Sequence, residues 1–185
     1  MREPERIAEG ATMAIKKAAT EPSPAQRAVL VDVATQTLRV TEGTEVLAEF
    51  PVSTSRFGLG CEEGSYRTPT GRFVIREKIG AHAPAWSIFR SRQPTGEIAQ
   101  PGGEEDHVLS RVLTLDGLDP ENSNTLARFV YIHGTNQEDL IGSPASHGCV
   151  RLRNADMVAL HEMVSAGTPV TIEPPLGNKA AGGTA

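Results

Sequence analysis

Short runs of β-branched and aliphatic residues, broken every few positions by turn residues, recur along this chain and leave little room for helix. Ala28-Val29-Leu30-Val31-Asp32-Val33, Thr37-Leu38-Arg39-Val40 and Glu45-Val46-Leu47-Ala48-Glu49-Phe50 are three such runs, with Glu42-Gly43 turning the second into the third. They predict an antiparallel meander. Further strands are predicted over Arg72 to Ile79, Val108 to Leu115, Arg128 to His133 and Pro169 to Glu173. One helix is signalled, with Asn154 as N-cap, Asp156 in the first turn, apolar Met157, Leu160 and Val164 at helical spacing, and Gly167 as stop. His161 falls on that stripe and reads as a packed core histidine. A mainly β fold with one helix follows.

Between the strands lies a segment of different character. Gly80 to Asp106 is rich in proline, glycine and charge and carries Trp86, Arg90, Arg92 and Glu97. A loop this long in a compact domain usually carries function or is disordered. It is read either as a lid over a substrate cleft or as a plain surface excursion.

The chemistry concentrates near the C-terminal third. Phe129-Val130-Tyr131-Ile132 runs into His133-Gly134-Thr135, and sixteen residues after His133 comes Cys149, within Ser146-His147-Gly148-Cys149-Val150-Arg151. A thiol with a pKa of about 8.5 is only slightly ionised at neutral pH, and a nearby imidazole can take its proton as it attacks. Cys149 as nucleophile and His133 as base are the natural couple, set against a buried structural cysteine beside an unrelated histidine. Gly148, lacking a Cβ, would let a substrate carbonyl approach the Gly148-Cys149 turn and use its N–H groups as oxyanion donors. Arg151 could hold a substrate carboxylate or favour thiolate, and a buried ion pair with Asp156 explains it equally well. Cys61 sits in a turn-rich acidic loop, Gly58 to Gly64, that offers nothing to activate a thiol, and it is read as non-catalytic.

Two matched blocks make a resemblance. Ile132-His133-Gly134-Thr135, Ile141-Gly142 and Ser146-His147-Gly148-Cys149-Val150-Arg151-Leu152 resemble the signature of L,D-transpeptidase catalytic domains of the YkuD type. Thr68-Pro69-Thr70-Gly71-Arg72-Phe73 resembles their second recurring motif. The resemblance covers roughly Ala28 to Glu173, a domain-sized stretch. It implies an antiparallel β-sandwich, Cys149 as acyl-accepting nucleophile, His133 as general base and His147 in support. Some members carry asparagine two residues beyond the cysteine; Arg151 matches another branch. The implied substrate is a peptidoglycan tetrapeptide or muropeptide, cut between the L-centre of its diamino acid and the terminal D-alanine. Water as second acceptor makes an L,D-carboxypeptidase and an amine makes a transpeptidase.

Composition bounds the rest. The 185 residues fit one domain, read as an N-terminal, partly ordered extension over 1–24, the catalytic domain over 25–174 and a flexible tail over 175–185. A net charge of −5 and 4% aromatic residues argue against nucleic acid. No stretch reaches the roughly 18 apolar residues of a membrane span. Met1 to Thr20 carries seven charges and no apolar centre of a secretory signal, so a cytoplasmic carboxypeptidase in murein recycling is expected. A periplasmic or cell-wall transpeptidase whose leader was removed is the alternative, and a non-catalytic wall-peptide binding module is a third reading. No cofactor and no metal are expected, because His133, His147, Cys149 and His161 lack zinc-site spacing. A serine-hydrolase elbow fails at Pro144. A substrate ending in a free carboxylate needs an arginine fork, and Arg151, Arg92 and Arg111 are the candidates, with Trp86 on the proposed lid as a further contact.

Overall fold

The structure, a computed structural model, describes residues 26–175. The extension expected over 1–24 lies outside the described residues, as does the tail beyond Pro175. The three predicted N-terminal runs form β1 (Arg27–Asp32), β2 (Thr37–Glu42) and β3 (Glu45–Pro51). They pair antiparallel in sequence order. Val29, Val31, Leu38 and Val40 alternate inward, as a half-buried strand requires. β4 (Gly71–Ile79), β7 (Val108–Gly117), β8 (Tyr131–Gly134) and β10 (Pro169–Glu173) follow the remaining predicted runs.

The sheet is mainly antiparallel, with two parallel pairs. β1 runs parallel to β10, and β8 runs parallel to β9 (Val150–Leu152), a short strand hidden in the cysteine motif. Strand order is β3-β2-β1-β10-β4-β7-β5-β6, where β5 is Ser87–Arg90 and β6 is Gln93–Ile98, with β8 and β9 branching from β7. One core joins Val29, Val31, Phe73, Ile75, Leu113, Ile132, Val150 and Ile172 with Met157 and Leu160 of the helix. Strands from both arms of the sheet thus bury their apolar faces together.

Gly80 to Asp106 differs from the loop expected there. It contains a hairpin, β5 (Ser87–Arg90) and β6 (Gln93–Ile98), and β5 docks antiparallel on β7. The helix, α1, spans Asn154–Met163. Asn154 is its first residue and not its cap. Its side chain instead donates to Thr135 O and accepts from Ser110, while a Glu138 carboxylate oxygen takes the Asn154 backbone N–H at 2.7 Å. An orphan helix donor is satisfied from outside the helix.

Candidate active site

Parallel pairing of β8 with β9 sets the site. Ile132 and Val150 pair and face the core, so Tyr131 and His133 on one strand and Cys149 and Arg151 on the other turn to the opposite face. Cys149 packs at the edge of a cluster of Phe89, Val112 and Tyr131. A thiol and an imidazole on one face of adjacent strands, as the sequence led one to expect, is an arrangement suited to nucleophilic acyl transfer.

The imidazole is oriented. His133 is buried and its Nδ1 lies 2.7 Å from Gly134 O, a bond that places the proton on Nδ1 and leaves Nε2 with its lone pair. Burial holds its pKa below the ordinary histidine value, opposed by Asp106 and the Gly134 carbonyl. A Cβ at Gly134 would meet Asn154 Oδ1 at 2.5 Å and Leu109 O at 3.0 Å, so a larger residue there would push the Asn154 side chain from its bonds to Thr135 and Ser110. The thiol donates to Phe129 O at 3.5 Å and accepts from Tyr131 N–H at 3.3 Å. Burial pushes it up to about 12, only partly offset by the Tyr131 N–H. Sγ makes no hydrogen bond to His133, so proton transfer requires it to turn from the Phe129 carbonyl to the imidazole.

The turn that presents Cys149 is bolted in place. Ser146 Oγ donates to Cys149 O at 2.6 Å and accepts from Gly148 N–H at 3.2 Å, and Thr68 Oγ1 donates to Gly148 O at 2.9 Å. These contacts correct two expectations about Gly148. Its N–H is already engaged, which leaves the Cys149 N–H as the turn's oxyanion donor. Its missing Cβ serves a left-handed φ of 123°, with Tyr66 O and Arg67 O, and not a substrate, filling the nearby space. Thr68, buried and central to this bracing, opens the Thr-Pro-Thr-Gly motif but was given no role from sequence.

His147 sits at the rim. It is exposed, contacts the Arg56 guanidinium, and packs with ring centres 5.7 Å from a tilted Phe57 and 6.1 Å, edge-on, from Tyr66. Arg151 is fully buried, and its partner is Asp106 at 2.9 Å, not Asp156; Gln137 and Ser53 take further donors. Enclosed and engaged in this way, it does not present its fork to a substrate. Asp106 also accepts from Thr135 and lies 4.0 Å from His147. It escaped sequence reasoning because nothing local marks an aspartate that pairs across 45 positions.

Two other arginine and lid expectations are revised. Arg111 donates to Ala83 O and Ser110 O, both at 2.7 Å, so its buried charge serves carbonyls of the loop above β7. Trp86 packs with Ile88, Ala99 and Leu109. Leu109 pairs with Gly134, which puts this cluster across the sheet from His133, and Trp86 anchors the hairpin there. Arg92 alone of the three arginines has no side-chain hydrogen bond or ion pair to a described residue, and it lines a cleft with Glu77, Ile79, Ser91, Gln93 and Pro94. Cys61 is a free thiol whose carbonyl accepts from Asn124. Among the described residues no group of three or more His, Cys, Asp or Glu is gathered as a metal would need, and no helix is long and apolar enough to cross a membrane.

A mainly β domain carries Cys149 and an oriented His133 on one face of adjacent strands. The chain belongs to the L,D-transpeptidase catalytic domain family (YkuD), whose family model matches residues 26–172. It is 28% identical over 144 residues to YkuD of Bacillus subtilis, covering 78% of this chain and 64% of that protein. It is also 28% identical over 151 residues to YqjB of Bacillus subtilis, covering 82% and 73%. The fold matches an L,D-transpeptidase from Mycobacterium smegmatis with a TM-score of 0.54 at 22% identity, covering 80% of this chain and 59% of that one. The chain thus spans less than two thirds of YkuD and of the mycobacterial structure.

Proposed function

We propose that the chain catalyses cysteine-dependent acyl transfer on peptidoglycan stem peptides. The observation that carries this reading is the shared face of Cys149 and His133, with Nδ1 held by Gly134 O so that Nε2 is the base. Nε2 takes the thiol proton as Sγ attacks the carbonyl between the L-centre of the diamino acid and D-alanine. The Cys149 N–H faces the developing oxyanion. The C–N bond then breaks, the imidazolium gives its proton to the leaving amine, and a thioester remains. An acceptor, deprotonated by the same imidazole, releases the acyl group.

With water as acceptor the chain is an L,D-carboxypeptidase, the outcome we favour, and cytoplasmic murein recycling is proposed with it. With an amine it is a transpeptidase. The test is incubation with a disaccharide tetrapeptide, with and without an added D-amino acid, followed by mass spectrometry of the products. Disaccharide tripeptide in both samples supports hydrolysis. Exchange of the terminal residue would establish the transferase instead, and no turnover of any stem peptide would refute the acyl-transfer reading.

A further inference from the structure

A base in the position of His133 must carry a positive charge for part of the reaction, and its surroundings disfavour one. The ring is buried, and a buried cation needs a counter-charge. Gly134 O offers Nδ1 a dipole only. Across the parallel pair, the register sets His133 beside Arg151, a second cation on the same face. β7 adds no counter-charge, since Val112 lies opposite His133 and the Arg111 guanidinium is spent on Ala83 O and Ser110 O. α1 faces the end of β8 with the uncharged Asn154. Arg128, which acts on the thiol from the loop before β8, is a further cation, bonded to Gly60 O, Ser65 and Arg67 O. Tyr131 and Cys149, the other titratable groups on this face, both have raised pKa values and rest neutral.

The anion comes from the loop before β7. Asp106 accepts from Arg151 at 2.9 Å and from Thr135 Oγ1 at 3.1 Å, two residues beyond His133. Its outer neighbour is the His147 ring at 4.0 Å, while Glu105 and His107, on either side of it in the chain, face each other at 3.8 Å. Buried Asn136 fixes the loop on both flanks of the carboxylate. Its Nδ2 donates to Gly102 O at 2.6 Å and Glu105 O at 2.8 Å, its Oδ1 accepts from His107 N–H at 3.0 Å, and its carbonyl takes the Gly102 N–H at 2.7 Å. Gln137 donates to Gly103 O and Glu104 O and accepts from Arg151. Residues 135–137, directly after the strand of the imidazole, thus hold the acid, and moving Asp106 relative to His133 would break several of these bonds together. Asp106 and Arg151 act on the imidazole in opposite senses, and the carboxylate has the larger effect.

We propose that Asp106 is a positioning residue for charge, whose carboxylate offsets Arg151 and stabilises the imidazolium that forms when His133 Nε2 takes the thiol proton. The proposal rests on the acyl-transfer reading. Asp106 receives no proton: the thiol proton passes to Nε2 and from there to the leaving amine, and the carboxylate stays ionised against Arg151 throughout. The pair brings no net charge into the interior, yet leaves at the ring a field that favours its protonated form.

The test follows the His133 ring by NMR, together with kcat/KM against pH, in the parent, in Asp106→Asn and in Asp106→Asn/Arg151→Met. The signal of His133 is the one missing from a His133→Gln spectrum. In Asp106→Asn the ring should titrate at lower pH than in the parent, because Arg151 then acts unopposed. The acid limb of kcat/KM should move down with it, while the plateau falls about tenfold or more, as when a charge that stabilises a transition state is removed from a water-excluded site. With both charges gone the titration should return part of the way and still lie below the parent's. This double variant also carries the test if Asp106→Asn alone does not fold, since it strands no buried charge. A ring that titrates as in the parent overturns the proposal whatever the loss of rate, because a purely structural clamp would cost activity without moving the titration. A shifted titration with an unchanged plateau overturns it as well. A shifted titration in a protein that turns over no stem peptide upholds the action of Asp106 on the ring and refutes acyl transfer instead.

Discussion

At Cys149 the surroundings oppose ionisation. A thiol pushed up to about 12 beside a histidine held below its usual value means that the resting pair is neutral, not a thiolate with imidazolium. In a Cys61→Ala background, alkylation of Cys149 by iodoacetamide should climb continuously past pH 9, because the thiolate fraction grows only as pH nears the raised pKa. A plateau reached near neutrality would contradict this. Proton removal then belongs to the attack step, and His133→Ala should lower kcat/KM on the order of 10² to 10⁴. His147→Ala, at the rim, should cost less, and the reverse order would reassign the base. Asp106 is the counter-ion of a fully buried Arg151. Asp106→Ala should destabilise the fold by roughly 3–5 kcal/mol, read from urea denaturation, since it strands a buried charge.

Elements with a clean apolar alternation were legible in sequence, and those held by distant partners were not. β1 and β2 were found because Val29, Val31, Leu38 and Val40 alternate into the core. β6 is exposed along its whole length and contains Pro94 and Gly96, so no burial pattern betrays it. α1 was located, but its cap was misread, because Asn154 turns its side chain to Thr135 and Ser110 while Glu138 arrives from the preceding loop. The candidate pair, Cys149 and His133, was legible as a motif. Its bracing by Thr68 and Asp106 was not, since those contacts join residues remote in the chain. His161, within α1, was rightly read as packed. Burial, helped by Lys78 and Arg111, lowers its pKa to about 4. The unfolded chain takes up that proton as pH falls below about 6.5, so the stability is complete above that value and lost on descent toward 4. Replacing His161 by Met should shrink the stability loss between pH 7 and pH 4 by on the order of 3 kcal/mol. An unchanged acid slope in urea titrations would show that the ring is not buried in its neutral form.

For the whole molecule the last strand is a keystone. β10 lies between β1 and β4 and joins the N-terminal meander to β4 and β7, while the segment after β3 bridges from Ser53 to Arg151. A chain ending at Thr168 should lose cooperative unfolding altogether, as followed by circular dichroism against denaturant, whereas a chain ending at Pro175 should keep it. A sharp two-state transition in the shorter chain would refute this role.

The parallel pairing of β1 with β10 also fixes how the domain carries load. Because Val29 meets Val170 and Asp32 meets Glu173, the described chain enters at one end of this strand pair and leaves at the other. Tension applied through Arg27 and Glu173 acts along both strands in opposite senses. It strains the inter-strand hydrogen bonds together, in shear, and does not peel them apart one at a time as it would from an antiparallel pair with both ends on one side. The first event under force is then the sliding of two core strands past each other, so the barrier to mechanical extension lies in the β1–β10 pair.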